Sequence, residues 1–434
     1  MSKRLIVVLA LLMVVGTTFA AYAEVQNVKV SGDINIMGVS RSNFDLANPI
    51  AGTTATKEDD HQRFFATQTR IKIDADLTDN VMATVRLISE RDWNRETNSN
   101  TDIDLDLAYV TLKEFLYSPL TLTLGRQEIR FGNTFIIGNA RNFTTATGVI
   151  GNLPMDLSER KSFDAIRATL NYDPLVIDAV YAKMNDSNST ASSASNDLFG
   201  INVSYDLSKK VNLQGYIWNT KDKSVVVVNS KKDDIYTLGG LVTVKPVEDL
   251  KASLEAAWQF GKNRIAAGTG DTKRKAFAAQ ALIDYTFSKV KFTPAIGGGY
   301  TYLSGGDKNA AWNPMYYDQR LGNIAYAILP FSNLSVINLQ GSMKPTDDVT
   351  LMAKYGNYRY AKRQLTFTSN YTGAAIATNG NKGDLGNEVD VTALYDYTED
   401  VQFGLTAGVF MTGTAFDTNS RDASQVIGSM KVTF

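Results

Sequence analysis

Arg126, Glu128 and Arg130 stand at every second position of Leu120–Phe131, LTLTLGRQEIRF, a stretch otherwise built of wall residues. A guanidinium keeps its charge at any relevant pH and presents a planar fork to carboxylates or phosphates. Leu120, Leu122 and Leu124 alternate with Thr121 and Thr123, the period of a strand with one apolar and one polar face. Carried past Gly125, that alternation puts the charges on the apolar face. A bulge at Gly125 is therefore expected, flipping Arg126, Glu128 and Arg130 to the polar face and returning Ile129 and Phe131 to the apolar one. Such a strand wants lipid on one side and water on the other.

The same phase argument extends the charged face. With Ile71, Ile73, Ala75 and Leu77 outward, Arg70, Lys72, Asp74 and Asp76 point inward. With Val81, Ala83, Val85 and Leu87 outward, Thr84, Arg86 and Glu90 point inward, and Ile166, Ala168 and Leu170 leave Arg167 inside. A charge turned to lipid near mid-membrane costs about 2–4 kcal/mol, which gives these assignments their force. The next strand stays unassigned, because Asp104 and Asp106 change phase with Val110 and Leu112. Arg70, Lys72, Arg86, Arg126, Glu128, Arg130 and Arg167 thus form one candidate pore-lining sector, faced by an acidic wall of Glu388, Asp390 and Asp396 with Glu255 and Asp284. A stripe of guanidinium forks focuses anions and passes them between weak sites. Pairing with Asp74, Glu90 and Glu128 would instead brace the lumen, and both readings stay open at this point.

The elements that must position these side chains are strands with alternating short and long connections. Periodicity predicts eighteen of them, at about 27–40, 62–77, 80–93, 103–116, 119–131, 161–172, 174–185, 196–206, 210–220, 233–245, 249–261, 274–287, 289–303, 333–343, 347–362, 386–397, 399–412 and 424–434. Short connections such as Asp173-Pro174, Ser288-Lys289 and Thr398-Glu399-Asp400 carry turn chemistry. The long ones, 132–160 and 304–332 among them, are rich in Asn, Ser, Thr, Gly and Asp. The fold class is all-β: a transmembrane antiparallel barrel with short periplasmic turns and long extracellular loops. Aromatic residues near strand ends (Phe65, Tyr172, Tyr205, Tyr285, Phe287, Phe292, Tyr395) and the alternating end Met430–Phe434 suit a membrane interface.

Composition agrees. The 434 residues hold no cysteine, 9 prolines, 32 glycines, 20 tyrosines and 20 phenylalanines, which excludes thiolate chemistry and disulfides and favours strands and turns. A net charge of −1 offers no nucleic-acid footprint. Lys3, Arg4, the apolar run Leu5–Val15 and Ala21-Tyr22-Ala23 read as a signal peptide, 1–23, ahead of a barrel at 24–434. No later apolar segment is long enough for a membrane-spanning helix.

LGRQEIRFG (124–132), AYVTL (108–112), GYTYLSGGDKN (299–309) and GNEVDVTALYDY (386–397) together resemble the alginate-export family of outer-membrane barrels, over most of the chain. The resemblance implies an eighteen-stranded barrel whose arginine-rich lumen passes a uronate polymer, with Arg126 and Arg130 the first residues to test. The exporter proper is longer and has a periplasmic plug late in the barrel, whereas the corresponding turn here is only Tyr397–Asp400. That difference points to a porin for small solutes.

Other constellations carry less. His61, the single histidine, follows Asp59-Asp60, a pattern with a base and a carboxylate but also that of a solvated loop. Asp59-Asp60 and Asp102, Asp104 and Asp106 offer oxygen ligands for calcium, or plain loop charge. Loop 304–332, with Trp312, Pro314, Tyr316, Tyr317 and Arg320, either displays faces to sugars, folds inward as a constriction or packs on itself. The expected function is a passive diffusion channel for small anionic or saccharide solutes in the bacterial outer membrane. It has outer-membrane lipid as its surroundings, no cofactor, no enzymatic activity and an open oligomeric state. The alternatives are a dedicated export channel for an anionic polysaccharide such as alginate, and a barrel scaffold for a partner protein.

Overall fold

The computed structural model describes residues 27–46, 61–93, 103–140, 149–150, 153–187, 194–222, 233–263, 272–306, 309–373, 375–416 and 420–434. The signal-peptide reading, and Asp59, Asp60 and Asp102, lie outside the described residues. Eighteen strands form one sheet. They are β1 (Asn27–Ser42), β2 (His61–Thr78), β3 (Val81–Asp92), β4 (Asp104–Leu112), β5 (Leu120–Gln127), β6 (Phe163–Asn171), β7 (Leu175–Ser187), β8 (Ala194–Ser208) and β9 (Val211–Asp222). The second half comprises β10 (Asp233–Val244), β11 (Leu250–Asn263), β12 (Thr272–Thr286), β13 (Ala295–Leu303), β14 (Leu334–Thr346), β15 (Val349–Tyr360), β16 (Asp384–Asp396), β17 (Val401–Thr412) and β18 (Ala423–Thr433).

Each strand pairs antiparallel with its chain neighbours, and β1 pairs with β18 from Asp33↔Thr433 to Ser42↔Ser424. Gly32 N donates to Phe434 O at 2.8 Å and Phe434 N returns the bond to Gly32 O at 3.0 Å, sealing the last seam. Closure leaves no sheet edge, the condition for crossing hydrocarbon with strands. No helix of the described residues is long and apolar enough to cross a membrane.

The two faces of the wall differ in kind. Ile71, Ile73, Val85, Leu87, Ile166, Leu238, Leu254, Ile283, Leu339, Val391 and Leu405 all stand exposed on one face, in step with the alternation of their strands. An apolar belt of this extent is a surface for lipid. The opposite face surrounds a hydrophobic core that sits inside the barrel, and chain segments entering the bore supply much of it: Phe135, Ile137, Trp312, Tyr316, Tyr317, Ile324 and Phe331.

One point left open by the sequence is filled and one expectation changes. β4 carries its irregularity at Asp106: the β3 register steps from Arg86↔Leu107 to Leu87↔Leu105, which explains the phase change between Asp104–Asp106 and Val110. No bulge interrupts β5, where Leu124↔Val110, Gly125↔Tyr109 and Arg126↔Ala108 run in unbroken register. Gly125 is nonetheless required, with φ 121° and the Ala108 carbonyl against the place a side chain would fill. The strand ends at Gln127, earlier than the predicted 131, because the chain there leaves the wall.

Replacing Leu254, 58% exposed on the outer face, with arginine should destabilise the barrel in lipid vesicles by about 2–4 kcal/mol, read from denaturant unfolding. Gln280→Arg on the lumen face should not show this lipid-dependent loss.

Candidate functional site: a constriction folded into the bore

Past Gln127 the chain turns inward and crosses to the far wall. Asn133 Nδ2 donates to Ser253 Oγ of β11 at 3.2 Å, and Gly132 approaches Leu241, Gln214 and Glu255. A second segment, 304–333, enters from the other side and contains the six-residue helix α1 (Asn323–Ile328). The two meet backbone to backbone: Tyr316 N donates to Ile136 O at 3.0 Å, Gly138 N to Tyr316 O at 2.7 Å, and Asp318 N to Thr134 O at 2.9 Å. A third stretch joins them through Asn370, whose N bonds Ile328 O at 3.0 Å and whose Nδ2 bonds Leu329 O at 2.7 Å. Loop 304–332 is thus a constriction, and Trp312, Tyr316 and Tyr317 are packed into it, 1–4% exposed, with no face free for a sugar. Burial drives the Tyr316, Tyr317 and Tyr326 hydroxyls to ionise well above the ordinary tyrosine value.

One carboxylate ties the first two segments together. Asp318, 2% exposed at its side chain, accepts from Arg130 at 2.8 Å and from Lys161 at 3.0 Å. Two cations on one buried carboxylate leave positive charge over, and it emerges on the Arg130 guanidinium, whose side chain is 48% exposed. Arg320, two residues past Asp318, is also exposed and lies 5.3 Å from the Tyr326 ring centre.

The other predicted pore residues fall into pairs. Arg70 reaches Asp33 at 2.9 Å and Glu159 at 3.7 Å, and Lys72 reaches Asp74 at 2.8 Å. Arg86 holds Asp106 at 2.6 Å together with Glu128, which arrives from just beyond β5. Arg167 holds Asp178 at 2.8 Å and lies 5.2 Å from the Phe131 ring centre.

Arg126 requires a correction. It sits opposite Asp164, with Leu124 opposite Ile166 on the same face; Phe163 and Ala165 on the other face join the internal core. Ile166 is 48% exposed, so Arg126 faces outward, bound to Asp164 at 2.8 Å and to Leu105 O at 2.8 Å. With no bulge at Gly125 the original alternation simply continues, and the charge is met by a cross-strand carboxylate.

The acidic wall is corrected as well. Glu388 and Asp390 are 1% and 3% exposed, and they receive the free N–H groups of α1. Ile324 N and Ala325 N donate to the two Glu388 oxygens at 2.7 and 2.8 Å, and Asn323 N donates to Asp390 at 3.2 Å. Carboxylates there satisfy backbone donors that a helix start leaves unpaired. A side chain at Gly322 would collide with Glu388 and the Tyr358 hydroxyl, so that residue admits the contact. Asp396 accepts from Gln402 at 2.7 Å, Asp284 from Gln340 at 2.8 Å, and Glu255 from Tyr216 at 2.9 Å. His61 binds Ser42 at 2.6 Å at the mouth of β2. Among the described residues no group of acidic residues and histidine is placed to hold a metal ion.

Sequence reasoning missed Arg41, Arg160, Lys161 and Asp318. Arg41 is buried against Asp156 and Gln425, and Arg160 joins Glu90 at 3.1 Å and Asp104. The inward phase of β1, with Met37, Val39 and Arg41 on one face, was a usable signal for Arg41. The other three lie on irregular backbone, where periodicity is silent.

A closed strand wall with segments folded back into its bore is the architecture of a channel, and the comparisons agree. Residues 41–429 match the family described as Alginate export. The chain belongs to the alginate export family. Among solved structures it is similar to OccK11 (OpdR) of Pseudomonas aeruginosa, with 12% identity over 94% of this chain and 96% of that one, at a TM-score of 0.57. It is also similar to OccK2 (OpdF) of that organism in complex with glucuronate, 11% identical over 94% and 99% of the two chains, TM-score 0.57. OpdK with vanillate, again from P. aeruginosa, matches at 11% identity over 94% and 99%, TM-score 0.53. No curated protein matches the sequence. These likenesses concern the fold. Family and fold together are those of a porin-like outer-membrane transport channel.

Glu388→Ala should release α1, since buried N–H groups left without an acceptor cost about 1–3 kcal/mol each. The expected readouts are faster proteolysis within 304–333 and a higher, noisier single-channel conductance, with the barrel itself still folded.

Proposed function

We propose that this alginate export family member is a passive diffusion channel for small organic anions and acidic monosaccharides, selected at the internal constriction. The observation that carries the reading is the Arg130–Asp318–Lys161 cluster, in which one buried carboxylate is shared by two cations and the surplus charge is turned toward water. Arg320 beside it and Arg167 below offer further guanidinium donors within the bore. A forked donor at a narrowing binds a carboxylate weakly and lets it go to the next, which is what conduction requires.

The preference for anions should be modest. The lumen pairs given above set cations such as Arg41, Arg70, Lys72, Arg86, Arg160 and Arg167 directly against carboxylates. Local placement, not total charge, would therefore set selectivity. The small carboxylates named with OccK2 and OpdK, glucuronate and vanillate, support a substrate of this size and charge. A bore occupied by a packed core of aromatic residues suits a single small solute better than a polymer, so polysaccharide export is the second reading.

In planar bilayers under a salt gradient, Arg130→Ala and Arg320→Ala should each shift the reversal potential toward cations. Arg126→Ala, on the outer face, should leave it unchanged. An unchanged potential in both lumen variants would remove the constriction from selectivity. Passage of oligouronates through wild-type channels at a rate matching the monomer would favour the export reading.

A further inference from the structure

The lumen face carries a second polar row, toward the end of the bore where the short connections lie. One inward position on each of six adjoining strands falls in register: Lys251, Asp284, Gly297, Gln340, Lys354 and Asp390 on β11 to β16. Asp390 is the carboxylate that receives Asn323 N, so the row passes beside the start of α1. In the middle of the row a side chain is missing. Gln340 Nε2 donates to Asp284 at 2.8 Å across β13, directly over Gly297. A Cβ at Gly297 would lie 2.2 Å from Asp284 Oδ1 and 2.8 Å from Gln340 Nε2, so the bond depends on the glycine.

The thinned wall leaves a cavity of about 170 Å³, lined by Asp284, Gly297, Gln340, Ser342, Met352 and Lys354. A cavity of about 150 Å³ holds one benzene-sized ring, so this one has room for a single six-membered ring. Its two ends differ in chemistry. An ionised aspartate only accepts hydrogen bonds, and a lysine ammonium only donates them. Gln340, whose amide nitrogen is engaged by Asp284, adds its carbonyl oxygen to the accepting end. Gln340 and Lys354 stand one strand spacing apart, about 5 Å at the backbone. Acceptors and donor thus face each other across the width of one ring. Lys251 opposes Asp284 from one flank and Asp390 opposes Lys354 from the other, so the pocket selects by pattern and not by net charge.

We propose that this pocket is a second solute subsite on the passage, for a ring-sized carboxylate that carries hydroxyl groups. Lys354 takes the carboxylate, Asp284 and Gln340 accept from the hydroxyls, and Gly297 and Met352 lie against the ring face. A carboxylate without hydroxyls leaves the accepting end unused, and a neutral sugar leaves Lys354 without its anion. The subsite rests on the channel reading given above and adds to it a place where hydroxyl donors are read. Arg130 at the constriction cannot do this, because a guanidinium has no acceptor.

Single-channel recording in planar bilayers, with glucuronate, cyclohexanecarboxylate or glucose added in turn, reads the subsite as interruptions of the ion current. Wild-type channels should show two classes of glucuronate block, one shortened by Arg130→Ala and the other by Lys354→Gln. The second should shorten about tenfold, for the loss of one charge-assisted hydrogen bond. Lys354→Arg, which keeps the charge, should retain it. Asp284→Ala should shorten glucuronate block in this class and leave cyclohexanecarboxylate block unchanged, and Gly297→Ala should act in the same way. Glucose block should not respond to Lys354→Gln. An open-channel conductance equal to the wild type's shows that each variant has folded. A single class of glucuronate block, answering to Arg130→Ala and to neither Lys354→Gln nor Asp284→Ala, would overturn the subsite and leave the channel reading standing. Equal loss for both carboxylates in Asp284→Ala would overturn the reading of hydroxyls. Channels that glucuronate never blocks would refute the subsite and the anion-passing function together.

Discussion

Lipid offers no hydrogen bonds, so every backbone donor on the wall must find its acceptor on the next strand, and the last strand must find the first. The β1–β18 seam meets that demand, with the C-terminal Phe434 bonded twice to Gly32. From this single requirement follow the strict alternation of each strand, the apolar outer belt, and a lumen that collects whatever polar side chains the outer face refuses. The bore is too wide for wall side chains alone to fill. Here the chain fills it with its own connections, and this explains why apolar residues as buried as Ile129, Phe135 and Ile324 occur in segments that are not wall at all, packed against wall residues such as Leu198, Val336 and Phe410.

Filling the bore changes what the charges inside it do. A guanidinium facing open water would be a free binding site, but one covered by an inward segment needs a partner, because a buried unpaired charge is costly. Arg41 and Arg160, almost wholly covered, accordingly have Asp156 and Glu90. Arg130 differs in degree, its carboxylate shared and its fork half in water. The gradient from covered to open arginines separates those that brace the constriction from those able to meet a solute. In the same way Glu388 and Asp390, acidic by type, serve as acceptors for a helix start.

Much of the wall was legible in the sequence, since a period of two with punctuating turns is a physical consequence of lying between oil and water. Predicted and observed strands agree to within about three residues at every strand except β4, β5 and β13. The exceptions are informative. β13 begins at Ala295 instead of 289 because the turn before it runs through Phe292 and Thr293, both in the left-handed region. β5 stops short because its charges belong to two regimes: Arg126 to the wall, Glu128 and Arg130 to a chain already departing from it. Alternation alone reads such a run as one strand and must invent a bulge to reconcile its faces. The constriction itself had no periodic signature, and Asp318 was invisible because its meaning comes from two segments far apart in sequence.

Arg126 also shows why residue type is a poor guide to the pore. It shares its strand and its chemistry with Arg130, yet it faces outward, where a lone charge at mid-membrane would be prohibitive. Its position in a cross-strand row with Asp164 and Lys183, at the end of the strands where the long connections lie, makes it acceptable. One barrel thus uses basic side chains in two ways, decided by the face of the strand and by height along it. Inside, cations are shared out among carboxylates and a few are left turned to the passage. Outside, they stand in cross-strand register with acids along the rim, as Arg126 does with Asp164 and Lys183 with Asp197.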